Sequence, residues 1–242
     1  METMTPRSAA GPVRHLAGLA PGLALAAAAA VAGLVRRDKA LHPVGHDGAG
    51  RLTLSEHAPG LGIPALDEPG TRTCRARWSR AMGLPQGWPD IEGLALRLPG
   101  AAPGGDDADL LFASTGEHPW SRYLLTLRAP RRFGRLTTLL PVRAGGRALT
   151  FGLSPLGGSD DDGLPPASYV LEVSRGAGPW ERLGELEVVW SHADTLDRFD
   201  PVARPLAGIE QYAFVAALRE PAYVAARAVA HARPTTEKRP HA

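Results

Sequence analysis

Two stretches of this chain carry side chains whose types and spacing could do chemistry. Near the C-terminus, Arg219, Tyr223 and Arg227 stand at i, i+4 and i+8, so a helix would bring all three to one face. A free phenol gives up its proton only at about pH 10. A guanidinium within hydrogen-bonding reach stabilises the phenolate, and the pair then makes an anionic oxygen ligand for ferric iron, as tyrosine does for some haem groups. The plain alternative is a packing tyrosine on an Ala-rich helix. Near the N-terminus, His42 sits in Lys39-Ala40-Leu41-His42-Pro43-Val44-Gly45, where the proline imposes extended backbone. A neutral imidazole aimed into an apolar pocket can take a proton from one peroxide oxygen and return it to the other. A turn histidine is the plain reading here, and a metal pair of His42 with His46-Asp47, as in phosphodiester hydrolases, is a third.

These groups need elements to hold them. After residue 50 the chain becomes short apolar runs broken by turn residues, and the pattern predicts strands at 51–54, 71–79, 93–98, 109–115, 136–142, 148–153, 168–174 and 182–190. Alternation is plainest in Arg75-Ala76-Arg77-Trp78 and in Tyr169-Val170-Leu171-Glu172-Val173. With 28 Gly and 23 Pro in 242 residues, the spacing predicts a mainly β, α+β fold. Its centre is a closed antiparallel β-barrel of about eight strands, with flanking N- and C-terminal helices. The expected organisation is an N-terminal apolar segment over 1–38, a barrel domain over 39–233 and a polar tail over 234–242. Residues 16–35 carry no charge and have the length of a membrane span, but Ala, Gly and a central proline dilute them. A packed soluble helix is set there against an anchor or signal segment, which makes the expected location cytoplasmic, with membrane association as the alternative.

Composition excludes several classes. An apolar share of 44% with a net charge of +2 is not that of a mostly disordered chain. The basic side is 25 Arg against 2 Lys, the bias of a GC-rich coding sequence, and the aromatic residues are too scattered for a base-stacking platform, so no nucleic-acid partner is expected. The one cysteine, Cys74, rules out an intrachain disulfide and a cysteine zinc cluster, and reads as a small core residue. The acidic run 159–163 reads as a solvated turn rather than an EF-hand loop.

Placed in order, the middle segments resemble the catalase superfamily. Arg77-Trp78-Ser79 is followed by Asp90-Ile91-Glu92-Gly93-Leu94, then Asp109-Leu110-Leu111-Phe112-Ala113-Ser114-Thr115. Phe199-Asp200-Pro201, then Pro205-Leu206-Ala207-Gly208-Ile209-Glu210, then Arg219 and Tyr223 complete the series over roughly residues 39–227. The resemblance implies haem b, with iron held by Tyr223 and Arg219 keeping that ligand a phenolate. It implies His42 as the distal acid–base residue, Ser79 as the hydroxyl supporting it, and Lys39, Arg77 and, less closely matched, Arg227 as partners of the haem propionates. Where the family carries a distal asparagine this chain has Ala113, leaving Ser114 beside it as a substitute donor if the strand register lets it reach. The implied substrate is hydrogen peroxide or a small apolar hydroperoxide, handled by peroxidase-type chemistry. A non-catalytic haem- or lipid-binding barrel and a metal-dependent phosphodiester hydrolase are the alternatives.

Overall fold

Alternation writes the first strand once its glycines are counted as inward residues. In the computed structural model β1 spans Gly45–Leu54, with Gly48, Gly50, Leu52 and Leu54 buried and Ala49, Arg51 and Thr53 exposed. A Cβ at Gly48 would lie 2.5 Å from Val188 Cγ1, and one at Gly50 would lie 2.6 Å from Cys74 Sγ. Only glycine fits those inward positions, which is why the strand begins earlier than the predicted 51–54. The structure describes residues 45–56, 60–82, 84–85, 87–158, 163–193 and 199–210. The expected terminal helices, the 16–35 segment, the tail and most of the acidic run lie outside them. Among the described residues no helix is long and apolar enough to cross a membrane.

The remaining strands are β2 (Gly70–Arg80), β3 (Glu92–Leu98), β4 (Ala108–Ser114), β5 (Leu136–Thr137), β6 (Val142–Ala144), β7 (Arg147–Pro155), β8 (Ser168–Arg175) and β9 (Trp180–Trp190). Every described pairing is antiparallel, in the order β5-β4-β3-β2-β1-β9-β8-β7-β6, and a further β5–β7 pairing closes the sheet. Eight strands therefore form a closed barrel, and β6 is an outlying hairpin partner of β7. The predicted strand 136–142 is two strands, because Leu139 adopts φ 60° and Pro141 has no N–H to offer a ladder. The barrel is filled by Leu52, Leu94, Leu96, Phe151, Leu171 and Leu186, among others, each contributing about 1.5–3 kcal/mol by leaving water. A short helix, α1 (Pro64–Asp67), follows β1, and the Asp67 carboxylate accepts from the N–H groups of Leu61, Gly62 and Ile63 at 2.7–2.9 Å.

Candidate functional site

Because paired residues in adjacent strands share a face, the ladder registers fix which side chains lie together on the outside of the barrel. One row across β1 to β4 reads Gly45, Ser79, Gly93, Ala113. The next reads Asp47, Arg77, Ala95, Leu111, and the one after Ala49, Arg75, Arg97, Asp109. The first row presents nothing larger than a hydroxymethyl group. Ser79 is 9% exposed, and a Cβ at Gly93 would stand 3.4 Å from Ser79 Oγ. This outer wall, edged by the half-buried Arg77, is the candidate site.

Ser79 and Arg77 are thus brought together on this wall, two residues apart on one strand. Ala113 lies on it as well, its methyl unable to donate a hydrogen bond. Ser114, its neighbour on β4, is not on this wall. It falls on the opposite face of β4, fully buried, where its hydroxyl donates to Thr126 O at 2.7 Å and accepts from Glu92 N at 3.1 Å. The proposed metal pair is separated in the same way. Asp47 faces outward beside Arg75 at 3.3 Å. His46 is its neighbour on the other face, stacked on Trp78 with ring centroids 5.8 Å apart and with Nδ1 3.3 Å from Ser191 O. Among the described residues no three potential ligands gather around a metal position. Lys39, His42, Arg219, Tyr223 and Arg227 lie outside the described residues.

Three further features were not legible in the sequence. Glu92 is buried inside the barrel, at 7% exposure. Burial pushes its carboxyl up to about 7, Arg128 and Arg80 pull against that, and Asp90 adds to it. Tyr169 is likewise raised, first by burial and then by the Glu92 charge. Asp47 Oδ1 is buried with no hydrogen-bond partner. Cys74, as expected, is a core residue, and burial pushes its thiol up to about 11, far from a reactive thiolate.

The wall is bordered by a strap, residues 199–210. Arg97 and Asp109 form a buried two-pronged ion pair at 2.7 and 2.9 Å. The Phe199 ring covers the guanidinium at 4.6 Å, and Asp200 N donates to Asp109 Oδ2 at 2.8 Å. Asp200 Oδ1 accepts from Val202 N and Ala203 N, each at 3.0 Å, so the Phe-Asp-Pro segment is a turn fastened to β3 and β4. Further on, Gly208 at φ 85° passes so close to Gly62 that a Cβ would stand 2.0 Å from its carbonyl oxygen.

No family model matches the chain, and no curated protein matches it. Solved structures do. A bacterial catalase aligns with TM-score 0.54 at 11% identity, covering 78% of this chain and 56% of that one. A fungal catalase aligns with TM-score 0.54 at 12% identity, covering 78% and 57%. Catalase A from Saccharomyces cerevisiae aligns with TM-score 0.52 at 11% identity, covering 79% and 61%. The likeness is one of fold, and the chain spans less than two thirds of the length of these structures.

Proposed function

We propose that this chain is a haem-dependent, catalase-like protein whose cofactor lies against the outer wall of β1–β4 and whose substrate is hydrogen peroxide or an organic hydroperoxide. The observation that carries the reading is the row Gly45, Ser79, Gly93, Ala113, with Arg77 at its edge, on a barrel of catalase-like fold. A planar macrocycle needs a wall free of bulky side chains, and its carboxylates need a guanidinium beside that wall. The residues present fit such a group: Gly93 leaves open the volume a side chain would fill, and Arg77 stands in the adjoining row.

The sequence resemblance supplies the other roles. Tyr223 would hold the iron as a phenolate kept charged by Arg219, and Lys39, Arg77 and Arg227 would hold the carboxylates. Iron so bound supplies the redox chemistry that splits an O–O bond. The His42 imidazole takes the proton from one peroxide oxygen and delivers it to the other, which leaves as water or as an alcohol. Ser79 supports that imidazole from the wall. Ala113 offers the substrate no hydrogen bond and Ser114 is turned away, so the wall supports one proton-handling group rather than a pair of donors. That favours peroxidase-type reduction, with electrons from an organic donor, over dismutation of hydrogen peroxide.

Titrating the full chain with hemin tests this. A saturable Soret band is expected, lost in Tyr223→Phe and retained in His42→Ala, whose peroxide turnover falls by about 100-fold or more. A protein that takes up no hemin contradicts the proposal, and turnover that survives in His42→Ala contradicts the acid–base role.

A further inference from the structure

β1 runs from the first row of the wall at Gly45 to Leu54, and the loop that follows it borders a cavity at that far end of the barrel. The cavity has a volume of about 230 Å³ and is lined by Gly60, Gly62, Gly145, Arg147, Leu149 and Arg175, among others. Pockets for drug-sized molecules run from roughly 300 to 1,000 Å³, so this one suits a smaller ligand. Register places its two basic groups together. Leu149 stands opposite Arg175 in the β7–β8 ladder, and Arg147, two residues before Leu149, belongs to the same face. Opposite them, the 60–62 loop and the β6–β7 turn meet backbone to backbone. Gly62 has φ 79° and Gly145 φ 53°, and a Cβ on Gly62 would stand 3.5 Å from Gly145 N. Glycine at these angles gives that side of the cavity main chain in place of side chains.

The charges around the cavity do not balance. Glu181 forms an ion pair with Arg175. The Asp67 carboxylate is committed to the N–H groups of Leu61, Gly62 and Ile63. Arg147 is exposed and has no ion-pair partner among the described residues. Two guanidiniums on one small cavity repel each other, and an anion between them removes that repulsion while accepting from both. We infer that this cavity is a binding site for a small oxyanion, a carboxylate or phosphate group held by Arg147 and Arg175. The planar fork of a guanidinium matches two oxygens of such a group, a geometry that chloride does not offer. The site lies apart from the wall, and it does not depend on the function proposed above.

The test is a titration of the isotope-labelled full chain with inorganic phosphate and, separately, with acetate, followed by amide NMR. Sodium chloride at matched ionic strength is the control for plain screening. Saturable shifts of the Gly60, Gly62 and Gly145 amide signals are expected, with half-saturation in the millimolar range. In Arg147→Glu the affinity should fall by about tenfold or more. Arg147→Lys, which keeps the charge and loses the fork, should lie between that variant and the wild type. Arg147 is exposed, so both variants should keep the fold, which circular dichroism checks. Saturation by phosphate alone marks a phosphate-bearing ligand, by acetate alone a carboxylate, and by both their shared chemistry, and each supports the inference. No saturable shift with either anion, equal shifts with chloride, or undiminished affinity in Arg147→Glu overturns it. None of these readouts involves hemin, so the proposed function stands or falls separately.

Discussion

Two residues on either side of the wall set chemistry in opposite ways. Ala113 faces outward and offers no donor, so Ala113→Asn should restore a hydrogen bond to bound peroxide and raise the rate of hydrogen peroxide dismutation by about tenfold, the yield of one such bond. Oxygen evolution at matched haem occupancy measures it, and an unchanged or lower rate counts against the placement. Glu92 faces inward, its carboxyl held up to about 7 against an ordinary 4.5 by burial. Between those values the native state binds more protons than the unfolded chain, so stability falls as pH rises through that window and is level above it. The loss should amount to about 3 kcal/mol at most, and Glu92→Gln should abolish the slope in urea unfolding followed from pH 4.5 to 7.5. A slope that persists in the variant would mean another group is responsible. Ala113 was legible in the sequence only through the resemblance, and the burial of Glu92 was not legible at all. Glu92 looked like part of an Asp-x-x-Gly strand entrance, and nothing in composition says that a carboxylate lies inside a barrel.

Strands were the most readable elements. Those predicted at 71–79, 93–98, 148–153 and 168–174 match β2, β3, β7 and β8 closely, because a buried apolar side chain recurs there at every second position. Misreadings fell where another constraint outweighed alternation: close approach at Gly48 and Gly50, and the positive φ of Leu139 before Pro141. The Phe199-Asp200-Pro201 segment was legible only as a resemblance, and its geometry supplies the reason for it. Asp200 closes the turn, and its backbone N–H binds the buried Asp109 carboxylate. Removing that carboxylate takes the two-pronged ion pair from the buried Arg97 and the acceptor from Asp200 N. Asp109→Ala should therefore lower stability by about 3–5 kcal/mol in denaturant unfolding, and proteolysis should open the strap at 199–210 before the barrel is cut. A loss under about 1 kcal/mol, the range of an exposed pair, would show that the ion pair is not the fastening.

At the scale of the whole molecule, closure of the barrel depends on its shortest strand. β5 joins β4 through Ala113–Thr137 and Ser114–Leu136, and joins β7 through Thr137–Gly152 and Leu136–Leu153. The β1–β2 ladder, by contrast, runs unbroken from Gly45–Ser79 to Leu54–Gly70. Native-state hydrogen exchange should accordingly find the lowest protection at the β4–β5–β7 seam and the highest in β1, β2, β8 and β9. Equal protection around the barrel would contradict that order. The barrel was readable because many short alternating strands at this spacing have few ways to bury their inward faces. The wall was not readable in the same way, since its meaning lies in four residues from four strands that become neighbours only through register. Iron anomalous scattering from crystals of the hemin-loaded full chain tests the central claim most directly. The account predicts a single iron peak outside the barrel, over the row Gly45, Ser79, Gly93, Ala113. An iron peak inside the barrel, or on any other surface, would contradict it.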